Sequence, residues 1–146
     1  MRAPRILLAE DQLQVLHFLQ AFPEPIYNVV GAAQDEETLF IAATVLKPDF
    51  LVIDIDLPKL NGIESIRQIK RIAPNCCMIL KSCYAEPKSM GEAYAAGAAV
   101  YLVKGPLPSM ILTIRALVDQ PRWTYGMETA SPVETSDLTT YGFGMS

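Results

Sequence analysis

The sequence predicts a single α/β domain built on a mostly parallel sheet, and three observations point to it. Five apolar runs alternate with segments of helical spacing, the pattern of five βα units. Several runs are continuously apolar, as expected when helices cover both faces of a sheet, whereas a half-exposed strand would alternate. With 146 residues, 51% of them hydrophobic and 19% charged, the chain has room for one packed core and not for two domains.

The first strand is read at RILLAE (5–10) and is followed by a helix in which Val15, Phe18, Leu19 and Phe22 share one side. Gln14, His17 and Gln20 take the other side, which puts His17 in solvent. YNVVGAA (27–33) and FLVIDI (50–55) are the second and third strands. In GIESIRQIKRIA, Ile63, Ile66, Ile69 and Ile72 recur three apart with Glu64, Arg67, Gln68 and Arg71 between them, predicting a helix with its isoleucines against the core. CCMIL (76–80) is the fourth strand. Pro87 suits the first turn of the following helix and Gly97 its stop, while Gly91 and a run of alanines leave that helix little to anchor it. After the fifth strand, VYLV (100–103), Pro108 opens a helix in which Met110, Ile111, Leu112, Ile114, Leu117 and Val118 exceed one core-facing stripe, so part of it is expected to meet a partner. The domain is therefore drawn over residues 1–119. Residues 120–146, without apolar periodicity and rich in Ser, Thr, Gly and Pro, read as a poorly ordered linker or tail.

Several classes are disfavoured by composition. No apolar run approaches the ~18 residues that span a bilayer, and ILLA (6–9) is too short for a signal peptide, so a cytoplasmic protein without membrane contact is expected. Cys76, Cys77 and Cys83 are odd in number and lack zinc-site spacing; they read as small packing residues, Cys83 included. A net charge of −4 offers no basic footprint for direct nucleic-acid binding by this domain.

In a parallel α/β sheet the ligand site lies outside the carboxyl ends of the strands. The polar residues closing the apolar runs are Glu10 and Asp11, Asp54 and Asp56, Ser82, and Lys104. Converging carboxylates without countercharge repel strongly, so a cation is expected, and oxygen-only ligands favour Mg²⁺. Lys104 adds a fixed positive charge for an anion and Ser82 a hydroxyl donor. Together they describe a phosphoryl site and not a structural metal cage.

This pattern resembles the receiver domain of two-component response regulators over residues 4 to about 119. The acidic pair Glu10-Asp11, the aspartate of a D-x-x-x-P setting (Asp54 to Pro58) with N-G following, Ser82, and Lys104 after Tyr101 stand in family order and spacing. The resemblance implies a doubly wound (βα)5, flavodoxin-like sheet of strand order 2-1-3-4-5. It implies that Asp54 is the nucleophile taking a phosphoryl group from a sensor histidine kinase or phosphotransfer protein, and that Glu10, Asp11, Asp54 and the carbonyl of Asp56 hold Mg²⁺. Lys104 would pair with the phosphoryl oxygens, with the Asp56 side chain left free to influence phosphate lifetime. On phosphorylation Ser82 is expected to move toward the new oxygens and Tyr101 to turn inward. The face of fourth helix, fifth strand and fifth helix would then be read by a partner, an output domain or a homodimer, possible outputs including transcription. Glu10 for Asp, Ser82 for Thr, and Gly105-Pro106 where Pro commonly follows the lysine depart from the commonest pattern. The last, with NGIESIRQIK and the tail, suggests a truncated transcriptional regulator or a stand-alone receiver. Two rival readings are a haloacid-dehalogenase-type phosphatase using Asp54 and Asp56 of IDID as D-x-D, and a receiver-like interaction module that is never phosphorylated. Lys81 takes no role in any of them.

Overall fold

The computed structural model describes residues 3–10, 17, 28–118 and 133–134. Its strands are β1 (Arg5–Ala9), β2 (Asn28–Ala33), β3 (Phe50–Asp54), β4 (Cys77–Ser82), β5 (Val100–Val103) and β6 (Val133–Glu134). Its helices are α1 (Glu36–Leu46), α2 (Gly62–Ile72), α3 (Pro87–Ala96) and α4 (Leu107–Val118). The helix expected over 14–22 lies outside the described residues except for His17, which is exposed as its spacing implied. The helices expected fourth and fifth are thus α3 and α4.

All described strand pairs are parallel, in the order β2-β1-β3-β4-β5-β6. The expected five-stranded order 2-1-3-4-5 is present, and the chain adds one strand to it. Val133 and Glu134, in the segment expected to be a tail without structure, pair with Val100 and Tyr101 along the outer edge of β5. Backbone groups of an edge strand are open to pairing whatever the side chains, so hydropathy alone could not announce this strand. β4 also runs two residues past its apolar stretch: Lys81 pairs with Asp54 and Ser82 with Val103.

Side-chain alternation divides the strands between two core layers. Ile6, Leu8, Phe50, Val52, Ile79, Val100 and Leu102 face α4, where Ile111, Ile114, Leu117 and Val118 meet them. Leu7, Ala9, Leu51, Ile53, Met78, Leu80 and Tyr101 face Leu39 and Ala43 of α1, Ile66 and Ile69 of α2, and Ala93 and Ala96 of α3. Among the described helices, α4 is the one that packs on this face. Of the six residues thought to exceed one stripe, only Leu112 is exposed, at 53%; the others are buried against the sheet.

In α2, Asn61 caps the first turn by accepting from the Glu64 N–H at 3.2 Å, and Ile66 and Ile69 are buried. Ile72 is not part of that face and is 42% exposed. Residues three apart rotate by less than a full turn, and after nine residues the accumulated drift carries Ile72 to the side opposite Ile63. α3 is held thinly: Glu86 gives its first turn no side-chain cap bond, and only Ala93 and Ala96 are buried. It ends at Gly97, whose φ of 125° is one that a side chain rarely adopts. A Cβ there would stand 2.9 Å from Cγ of Lys70. Gly97→Ala is therefore expected to cost about 1–3 kcal/mol of unfolding free energy in urea, with the slope of the transition unchanged.

Candidate functional site

The parallel ladder ends on one rim, and the site is built there. Glu10 follows β1, Asp54 closes β3, Lys81 and Ser82 close β4, and Lys104 follows β5. Backbone bonds lock these ends together: the Glu10 N–H donates to the Ala33 carbonyl at 3.0 Å, Ile55 to Lys81 at 3.0 Å and Lys104 to Ser82 at 2.7 Å.

Asp54 is 3% exposed. Its Oδ1 takes the Lys104 ammonium at 2.7 Å and the Asp56 N–H at 2.9 Å, leaving Oδ2 without a hydrogen bond among the described residues. Lys104 also reaches Asp56 Oδ2 at 3.0 Å, so one ammonium bridges both carboxylates. Burial pulls the Lys104 pKa down, but the hydrogen bonds and charges of Asp54 and Asp56 together outweigh it, and the lysine is held above its ordinary value. It is a permanent cation at the rim.

The Asp56 side chain, expected to influence phosphate lifetime, is held on two sides. Besides Lys104 it accepts the Cys83 N–H at 3.1 Å, because the loop after β4 folds over it. Burial raises its pKa, and the bonds from Cys83 and Lys104 more than reverse that, leaving it below the ordinary aspartate value of 3.8. Held by Lys104 and the Cys83 N–H, this carboxylate is not placed as the acid/base that a D-x-D phosphatase needs of its second aspartate. Cys83 itself is exposed and not a packing residue, since it lies one position beyond the ladder. Its hydrogen bond to Asp56 raises the thiol pKa, which disfavours a reactive thiolate; burial pushes Cys76 up to about 12.

Ser82 is buried and its Oγ accepts the Tyr84 N–H at 3.2 Å. Tyr101 donates its hydroxyl to the carbonyl of the same Tyr84 at 2.6 Å. One peptide segment thus ties the serine to the tyrosine. Tyr101, expected to turn inward on phosphorylation, lies inside here, 1% exposed and edge-on to Tyr94 with ring centroids 6.5 Å apart. The hydroxyl finds its acceptor without leaving the core, which removes the usual cost of burying it.

Asp11 lies outside the described residues. Glu10 is buried, and its carboxylate is in contact with the Lys81 ammonium. Lys81, to which the sequence assigns no role, stands one residue before Ser82 inside β4. No group of three or more His, Cys, Asp or Glu side chains able to enclose a metal occurs among the described residues. The donors at the rim, Asp54 Oδ2, the Asp56 carbonyl and Glu10, are all oxygen, which fits Mg²⁺ with its one or two protein carboxylates and retained waters.

The model of the response regulator receiver domain family matches residues 6–114. The chain is 31% identical over 109 residues to the chemotaxis protein CheY of Thermotoga maritima, covering 74% of this chain and 91% of that protein. It is 32% identical over 103 residues to the transcriptional regulatory protein PdtaR of Mycobacterium tuberculosis, covering 68% of this chain and 49% of that protein, so it spans about half that relative's length. The solved response regulator domain of Thermotoga maritima CheB is similar with a TM-score of 0.67 at 29% identity, covering 82% of this chain and 98% of that one. No described helix is long and apolar enough to cross a membrane.

The depressed pKa of Asp56 has a testable sign. Its contribution to stability is full above the unfolded value of 3.8 and is lost as pH falls through the lower folded value. Asp56→Asn is expected to be less stable than the parent at neutral pH and to lose less on acidification, as measured by urea unfolding across that range.

Proposed function

Because the chain belongs to the response regulator receiver domain family, whose members are phosphoacceptor signalling domains, we propose that Asp54 is its phosphoacceptor. The observation that carries this assignment is a buried strand-end carboxylate with an ammonium 2.7 Å from Oδ1 and no hydrogen bond to Oδ2 among the described residues. Oδ2 would attack the phosphorus of a phosphohistidine on a sensor kinase or phosphotransfer protein, forming the acyl-phosphate O–P bond as the N–P bond breaks and the histidine nitrogen leaves with the electron pair.

Lys104 starts as the bridge between Asp54 and Asp56 and would turn to the phosphoryl oxygens, trading one pair of anions for another without leaving the rim. Mg²⁺ would be held by Asp54, the Asp56 carbonyl and the acidic pair Glu10-Asp11, and when bound it supplies charge neutralisation at the phosphoryl oxygens. Ser82 would give its hydroxyl to the phosphoryl group. To do so it must release the Tyr84 N–H, and Tyr84 is the segment that also receives the Tyr101 hydroxyl. The switch is then a rearrangement of the Ser82–Tyr84–Tyr101 chain in a loop that leads directly into thinly anchored α3, and not the entry of an exposed ring. The face of α3, β5 and α4 would report the change to a kinase partner, an output domain or a second copy. Such a protein works in the cytoplasm.

Incubation with acetyl phosphate and Mg²⁺, followed by intact-protein mass measurement, is expected to show one phosphoryl adduct. Asp54→Asn and chelator-treated samples should show none; an adduct that survives Asp54→Asn would refute the assignment. Lys104→Ala should slow adduct formation about 100-fold, the effect of losing one charge-stabilising donor.

A further inference from the structure

Lys81 is 2% exposed in the interior of the sheet's rim, and the phosphoryl-site reading gives it nothing to do. Its position is set by the ladder. Leu8, Val52 and Ile79 lie in one core layer, and two residues further along their strands stand Glu10, Asp54 and Lys81 on that same side. Lys81 is the register partner of Asp54, and β3 lies between β4 and β1. The lysine side chain therefore crosses the width of β3 at the level of Asp54 to put its ammonium on Oε2 of Glu10.

Stability is a poor reason for this arrangement. Removing two charges from water costs several kcal/mol per ion, and apolar residues of similar volume usually serve as well or better. The neighbouring positions of the same strand, Met78, Ile79 and Leu80, are apolar and fully buried. What the lysine does change is the charge beside Asp54. With Lys104, it makes two protein cations among the carboxylates Glu10, Asp54 and Asp56.

Resting on the phosphoryl-site reading, we propose that Lys81 is a positioning residue: it holds the Glu10 carboxylate and places a fixed positive charge at the level of Asp54, lowering the pocket's affinity for a divalent cation. Glu10 is then shared between the Lys81 ammonium and an exchangeable cation, and the receiver accepts a phosphoryl group only at higher Mg²⁺ than a site without the lysine.

The test is Mg²⁺ titration by calorimetry on the full chain, with Asp54→Ala identifying the heat that belongs to this site. Lys81→Met is expected to bind Mg²⁺ about tenfold tighter, the effect of removing one like charge a few ångströms from the ion. An unchanged or weaker affinity in a Lys81→Met protein with parental circular dichroism overturns the proposal. Should Lys81→Met fail to fold because the buried Glu10 loses its Lys81 contact, Glu10→Gln and the Glu10→Gln/Lys81→Met double variant make the same comparison. There, the lysine-free protein must again bind about tenfold tighter. If neither lysine-free chain folds, Lys81 is structural and the proposal fails. If neither the parent nor a lysine-free variant shows Mg²⁺ heat that Asp54→Ala abolishes, the phosphoryl-site reading falls with it. A parent that binds Mg²⁺ with Lys81→Met unaltered refutes the role of Lys81 alone.

Discussion

A parallel ladder forces every strand to end on the same rim, and the chemistry of this protein depends on that constraint. Antiparallel neighbours would have sent the ends of β1 and β4 to one rim and those of β3 and β5 to the other. Parallel pairing of β1, β3, β4 and β5 instead delivers Glu10, Asp54, Lys81 and Ser82, and Lys104 to one place. The apolar halves of the same strands bury the sheet on both faces, so the charged rim sits on a rigid base. Backbone bonds across the strand ends, such as Lys104 to the Ser82 carbonyl at 2.7 Å, then fix how close the charges come.

Concentrating carboxylates at a rim raises their mutual repulsion, and the chain answers with two lysines that act differently. Lys104 is partly exposed and bridges Asp54 and Asp56 across the mouth of the site, where it can exchange one anion for another. Lys81 is enclosed and meets Glu10 from beneath. One ammonium lies partly exposed at the rim and the other is enclosed. This division leaves the rim less acidic than its carboxylates alone would make it, which matters for any divalent ion competing for the same oxygens.

The link from the rim to the outer surface runs through backbone as much as side chains. Tyr84 receives nothing from its own ring; its N–H meets Ser82 and its carbonyl meets Tyr101. α3 begins three residues on and rests on small alanines, so little packing resists its displacement. The edge of β5, which belongs to the same face, is paired with Val133 and Glu134.

Much of the fold was legible in the sequence because continuous apolar runs report strands buried on both faces, and a proline and a glycine bracket α3. The rim residues were legible too, because an aspartate, serine or lysine closing an apolar run has only one place to be in a parallel sheet. Ile72 misled because three-residue spacing imitates a helical stripe over two turns and fails over three. On α4, five of the six apolar residues are buried and Leu112 alone of them is exposed, which helical spacing by itself did not divide. Cys83 was misjudged as a packing residue, and the contacts of the Asp56 side chain were not legible, because both are fixed by how the loop after β4 folds over β3, which no local pattern records. The sequence by itself determined which residues end the strands and what donors they carry, since those follow from hydropathy and residue type. Only the tertiary structure decided that Lys104 bridges two carboxylates, that Tyr84 joins Ser82 to Tyr101, and that Lys81 reaches Glu10 across β3. Each of these joins residues on different strands or loops, and register and side-chain reach, not sequence proximity, bring them together.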